Sequence, residues 1–176
     1  SPNTRYHFDD SYNLVSIMDD LTNTLYFSYN GGKITEIITT PYDFDEDFVW
    51  DDYEAEYNPD YGYPEPTPYT MLKIEYINGN PKFVYNHRTG DAVLFRYSTV
   101  GSLTRLAETE RVVMKAGFDE DTILSKLNAY YANKTSNADI FISENIVYTH
   151  DSDGKLVSVT DVKTGYKINY GYTGEK

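Results

Sequence analysis

Residues 148–174 read YTHDSDGKLVSVTDVKTGYKINYGYTG, and the fold of the chain is decided by how this stretch is read. From Tyr166 onward bulky groups alternate strictly: Tyr166, Ile168, Tyr170 and Tyr172 on one face, Lys167, Asn169 and Gly171 on the other. That is the period of a half-buried β-strand. Asp151, Asp153 and Gly154, then Thr164 and Gly165, are turn residues, so the stretch spells two strands and their connections.

The same grammar recurs upstream. Laid without a gap on Gly154–Gly174, the segment Gly79–Thr99 matches Gly79, Val84, Thr89, Gly90 and Tyr97 to Gly154, Val159, Thr164, Gly165 and Tyr172. Arg88 falls on Lys163 before the turn. Near the N-terminus Tyr6, Asp9, Leu14, Val15, Ser16 and Asp19 match Tyr148, Asp151, Leu156, Val157, Ser158 and Asp161; after one inserted residue Tyr29 and Gly31 match Tyr172 and Gly174. Three hairpin units, near 6–31, 74–99 and 148–174, are therefore expected to be internal repeats.

The order Tyr148, Asp151, Gly154, Leu156, Thr164, Gly165, Tyr170, Tyr172 resembles the tyrosine–aspartate (YD, or Rhs-like) repeat. Lys155 stands where those repeats carry arginine, and the units are separated by unrelated sequence instead of following in tandem. The resemblance points to small secreted lipoproteins of gut Bacteroidetes that carry scattered YD-like hairpins and have no assigned activity. It implies an antiparallel β body and brings no catalytic residue with it.

Working outward, Tyr6–Phe8, Leu14–Met18, Leu25–Tyr29 and Lys33–Ile38 read as a four-stranded meander. Met71–Ile77, Lys82–Tyr85 and Ala92–Tyr97 continue it, with Asn78-Gly79 as the hairpin turn. Leu103–Met114 suits strand or helix, and Thr104, Val112 and Val113 favour strand. Asp119–Asn133 reads as the one helix, with an acidic first turn, a cap at Asp119 or Asp121, and Ile123, Leu124, Leu127 and Tyr131 along one stripe. The expectation is an all-β single domain over 1–176, a twisted antiparallel meander sheet of about ten to twelve strands curling toward a barrel, with one packed helix.

With 28 acidic against 15 basic residues the net charge is −13, which excludes a basic footprint for nucleic acid. No Lys or Arg lies between Lys33 and Lys73, and 11 acids do, leaving 17 against 15 elsewhere. The acid is concentrated in residues 41–68, whose prolines and dense like charges forbid a central strand and predict an insertion loop. Its rings Phe48, Trp50, Tyr53, Tyr57, Tyr61 and Tyr63 are the candidate ligand-binding surface, suited to a glycan or a protein partner. Asp45, Asp47, Asp51 and Asp52 are the candidate ligands of a weak surface calcium site, since carboxylate oxygen is what calcium prefers. No other cofactor is implied.

Other chemistry is poorly supported. The chain has no cysteine, so thiolate chemistry and disulfides are excluded. His7 and His150 sit beside aspartates in equivalent units, yet those aspartates are also standard turn residues. Asp151, Asp153 and Gly154 echo a calcium loop, but its twelfth position is Val162 instead of the required glutamate. Acid pairs such as Asp45 with Asp51 abound without the rigid walls that glycoside hydrolysis needs. The expected function is a non-enzymatic binding or scaffold protein, secreted or anchored at the outer surface, with an accessory subunit that docks by strand addition as the alternative and a hydrolase third. A monomer without a transmembrane segment is expected.

Overall fold

The computed structural model describes residues 4–19, 24–40, 69–134 and 138–173. They form eleven strands and one helix: β1 Arg5–Phe8, β2 Leu14–Met18, β3 Thr24–Asn30, β4 Lys33–Thr40, β5 Tyr69–Ile77, β6 Asn80–Asn86, β7 Asp91–Val100, β8 Leu103–Met114, α1 Glu120–Asn133, β9 Ile140–His150, β10 Leu156–Asp161 and β11 Lys167–Asn169. The strands follow one another in sequence order as an 11-stranded antiparallel meander. Among the described residues nothing pairs with the outer edge of β1 or of β11, so the order stays open and the meander does not close into a barrel. Two compact units divide the chain at Lys73 and Ile74, inside β5.

In the first unit β1 to β4 form successive hairpins, with β5 laid beside β4 so that Glu36 faces Lys73, their charged atoms 2.9 Å apart. Gly31 and Gly32 join β3 to β4 at φ 57° and 73°, the positive angles of a type I′ turn. The second unit holds the core. Alternate residues of its strands point to one face: Phe83 and Tyr85 from β6, Ala92 and Leu94 from β7, Val112 and Met114 from β8, Ile140 from β9. Direct cross-strand partners share a face, and Phe83–Leu94–Glu110 and Tyr85–Ala92–Val112 run across it as two rows.

α1 covers this face with Ile123, Leu127 and Tyr130, while Leu124 and Tyr131 flank them partly buried. Tyr130, absent from the stripe expected from sequence, is one of its deepest residues. The helix begins where Asp119 accepts the Thr122 N–H at 2.8 Å, and Glu120 and Asp121 complement the positive end of its dipole. It ends at Lys134, which turns left-handed at φ 51° and donates its N–H to Tyr130 O at 2.9 Å.

Two pairs of turns share their hydrogen bonds. Between β1 and β2, Asp9 Oδ1 accepts the N–H groups of Ser11 and Asn13, and Tyr12 sits left-handed at φ 63°. Between β9 and β10, Asp151 Oδ1 accepts those of Asp153 and Lys155, and Gly154 sits at φ 78°. Tyr29 then donates its hydroxyl to Leu14 O at 2.8 Å, and Tyr172 donates its own to Leu156 O at 2.8 Å. A second turn repeats likewise: Asn86 Oδ1 accepts from Arg88 and Thr89, as Asp161 Oδ1 does from Lys163 and Thr164, each ending on a left-handed glycine, Gly90 or Gly165.

That last pair predicts a pH effect. The Thr164 hydroxyl, donating at 2.6 Å, is the first of the contacts holding the Asp161 carboxyl below its usual value. A carboxyl depressed in the folded state adds stability above its unfolded pKa, near 3.8, and loses it as pH falls through the folded value. Asp161→Asn is expected to keep the turn, as Asn86 does, and to flatten the fall in melting temperature below pH 4; an unchanged slope would assign that fall to other carboxylates, such as Asp9 and Asp119.

Candidate functional site

The expected aromatic surface, Phe48, Trp50, Tyr53, Tyr57, Tyr61 and Tyr63, and the expected calcium ligands, Asp45, Asp47, Asp51 and Asp52, all lie outside the described residues. The histidine-flanking carboxylates are within them and are occupied as turn acceptors: Asp9 also takes the Asn13 side-chain amide at 3.0 Å. Among the described residues no three His, Asp or Glu side chains group closely enough to hold a metal ion.

The main cluster of ionisable groups in the described residues is one that sequence reading missed. β8 places Glu110, 1% exposed, in the middle of the core face opposite Leu94. Its two oxygens are taken: Oε2 by Arg96 Nε at 3.2 Å, Oε1 by the Tyr130 hydroxyl at 3.2 Å, with Lys134 Nζ 3.4 Å from Oε1. Glu108, directly across from Arg96, pairs with Lys134 at 2.6 Å. Arg96 goes on to donate to the carbonyls of Tyr130 and Tyr131, and its guanidinium lies 4.8 Å over the Tyr131 ring. Those are carbonyls of the last helical turn, where the dipole favours a cation.

Two acids and two cations thus balance, and strands β7 and β8 are tied to the C-terminus of α1. Burial, and then the neighbouring Glu110 charge, pushes the Tyr130 hydroxyl up to about 12. A catalytic carboxyl needs a free oxygen and a path for substrate; Glu110 offers neither, and its chemistry is that of a clasp. The signal was present in sequence as charges at core-facing parity, Arg96 after Ala92 and Leu94, Glu110 before Val112 and Met114.

The described residues also present aromatic side chains to solvent. Tyr166, Ile168, Tyr170 and Tyr172 are 68, 43, 42 and 54% exposed, so the row expected to be half-buried stands in solvent along the last strand. The reason is position: β11 ends the strand order, and α1 packs on the core of β6 to β9. Lys155, at the arginine position of the repeat pattern, lays its ammonium 5.6 Å over the Tyr172 ring. At the opposite end of the strand order Tyr6, Phe8 and Tyr12 are also exposed. No helix among the described residues is long and apolar enough to cross a membrane.

No protein-family model matches the chain, and no curated protein does. A solved structure does: the crystal structure of TcdB2-TccC3 without its hypervariable C-terminal region, at TM-score 0.51 and 14% identity over 90% of this chain. The chain spans 5% of the length of that one. At this identity the likeness is one of fold alone.

Proposed function

We propose that this chain is a non-enzymatic binding or scaffold module, secreted or anchored at the outer cell surface like the YD-hairpin lipoproteins of gut Bacteroidetes that its sequence resembles. The observation that carries the reading is the division of its chemistry. The main ionic cluster of the described residues is centred on the buried Glu110 and paired within itself, whereas tyrosine rows face solvent. Exposed apolar rows of this kind mark interaction surfaces, and an open sheet edge takes a partner by strand addition. A glycan on the aromatic segment 41–68, with or without weakly held calcium, is the ligand its ring-rich composition suits.

The test has two arms. The fluorescence of Trp50, the single tryptophan, is recorded against a panel of oligosaccharides and against calcium. A change with one oligosaccharide supports glycan binding, and indifference to all of them moves the binding role to the strand edges. Steady turnover of any member of a glycoside and ester substrate panel would overturn the non-enzymatic reading.

A further inference from the structure

We infer that Lys82, Asn128 and Glu75 form a covalent cross-link within the chain. An amide joins the Lys82 side chain on β6 to the Asn128 side chain on α1, and Glu75 of β5 carries the protons. Such a reaction needs three groups in contact: an amine to attack, a carboxamide with a nitrogen to lose, and an acid–base group that reaches both. The structure brings them together. Lys82 Nζ donates to Asn128 Oδ1, Asn128 Nδ2 donates to Glu75 Oε1 at 3.3 Å, and Glu75 Oε2 stands 3.7 Å from Lys82 Nζ.

Each partner is held in place by the fold. Glu75 and Lys82 lie three residues to either side of the Asn78-Gly79 turn, on the neighbouring strands β5 and β6. The Asn128 amide plane is set by two acceptors of its Nδ2, Glu75 Oε1 and Leu124 O, the latter at 2.9 Å. Its nitrogen therefore faces the carboxylate and its oxygen the ammonium, which polarises the carbonyl to be attacked. The Phe83 and Tyr131 rings lie 5.8 and 5.3 Å from Nζ, and the Lys82 side chain is 17% exposed, so water competes poorly for the amide carbon. Lys126 and Lys134 make the contrast: they end on the carboxylates of Asp139 and Glu108, which repel a nucleophile and have no nitrogen to expel.

The steps balance without an oxidant or a co-reactant. Glu75 Oε2 takes a proton from the Lys82 ammonium, and turning the terminal bonds of that side chain carries the free amine from Oδ1 to the adjacent Cγ. Holding both groups in one structure makes the attack intramolecular. A C–N bond forms, a second proton leaves Nζ, and the Cγ–Nδ2 bond breaks. Both protons pass by way of Glu75 to the departing nitrogen, which leaves as ammonium, and Glu75 returns to a carboxylate. The new amide bridges residues 46 apart in sequence, in a chain with no cysteine to form a disulfide. Like a disulfide it restricts the unfolded chain, but no reductant opens it. The reaction occurs once per chain and acts on no outside substrate, so it stands independently of the scaffold reading.

The test is the intact mass of the purified whole chain, as isolated and after incubation, followed by proteolysis and tandem mass spectrometry. The expected result is a chain one ammonia lighter than its sequence mass, yielding a branched peptide in which Lys82 and Asn128 are joined. Lys82→Arg keeps the positive charge beside the two rings and removes the nucleophile, whereas Glu75→Gln keeps the shape and removes the proton carrier. Each variant is expected to keep the wild-type circular dichroism, to retain its own full mass and to melt below the wild type. A wild type that stays at full sequence mass, or a digest without the branched peptide, overturns the cross-link. Ammonia loss that persists in Lys82→Arg overturns it too, and assigns the loss to ring closure at an Asn-Gly pair such as Asn78-Gly79. Cross-linking of Glu75→Gln at the wild-type rate overturns the role of Glu75. The wild-type digest decides the matter even where a variant fails to fold.

Discussion

Glu110→Ala is expected to destabilise the second unit by about 3–5 kcal/mol, the loss seen when one partner of a buried ion pair is removed. The reason lies in what is left behind. Arg96 and Lys134 lose the carboxylate between them, and the Tyr130 hydroxyl loses its acceptor inside the core. The buried hydroxyl left without an acceptor carries the penalty of its missing water, and Arg96 and Lys134 are left with Glu108 as their one carboxylate. Against the 5–15 kcal/mol that a domain typically has in hand, such a loss is a large share. Glu110→Gln is the informative companion: it keeps an oxygen for Tyr130 and the shape of the side chain but removes the charge that Arg96 faces, and an intermediate loss is expected. Denaturant titration followed by circular dichroism measures both, and ultraviolet titration of the tyrosines gives an independent readout. In the alanine variant the Tyr130 hydroxyl should ionise below its wild-type value of about 12 while staying above an exposed tyrosine, because burial is the larger cause of its shift and Glu110 the second. A loss under 1 kcal/mol would mean that Arg96 is held by the carbonyls of Tyr130 and Tyr131 and that Glu110 is incidental.

The same cluster marks where sequence reading stops. Strands announce themselves by alternation and turns by their φ-demanding residues, so β1 to β7 and the turns at Asn78-Gly79 and Thr164-Gly165 were legible, as was α1 from its acidic cap and apolar stripe. Alternation reports a period without reporting which face is covered. The period of Tyr166, Ile168, Tyr170 and Tyr172 is the same whether a helix lies over it or water does, and only the place of β11 at the end of the strand order separates the two. Charges at core parity have the opposite fault. Arg96, Glu108 and Glu110 look like interruptions of an apolar pattern until the register of β7 on β8 and the end of α1 bring them together. The candidate binding residues between Asp45 and Tyr63 rest on composition, which carries no geometry, and they lie outside the described residues.

The equivalent turns at Asp9 and Asp151 set up a paired prediction of opposite sign. Gly154 is buried at φ 78°, its carbonyl accepting from Arg105 Nε at 2.9 Å. A methyl group added there would stand 2.9 Å from that same Nε and 3.2 Å from Leu103 Cδ1. Gly154→Ala therefore adds left-handed strain and drives Arg105 off its acceptor, at a total cost of roughly 2–4 kcal/mol. Tyr12 occupies the matching place at φ 63°, yet its side chain is 89% exposed. There the strain brings no buried packing with it. Tyr12→Gly should relieve it against a smaller gain in unfolded-chain freedom, a net stabilisation of about 0.5–1 kcal/mol. Thermal unfolding of the two variants beside the wild type should bracket it, Gly154→Ala below and Tyr12→Gly above. If Tyr12→Gly instead lowers the melting temperature, the exposed ring is making a contact outside the described residues, and the turn is kept for that contact in place of its geometry.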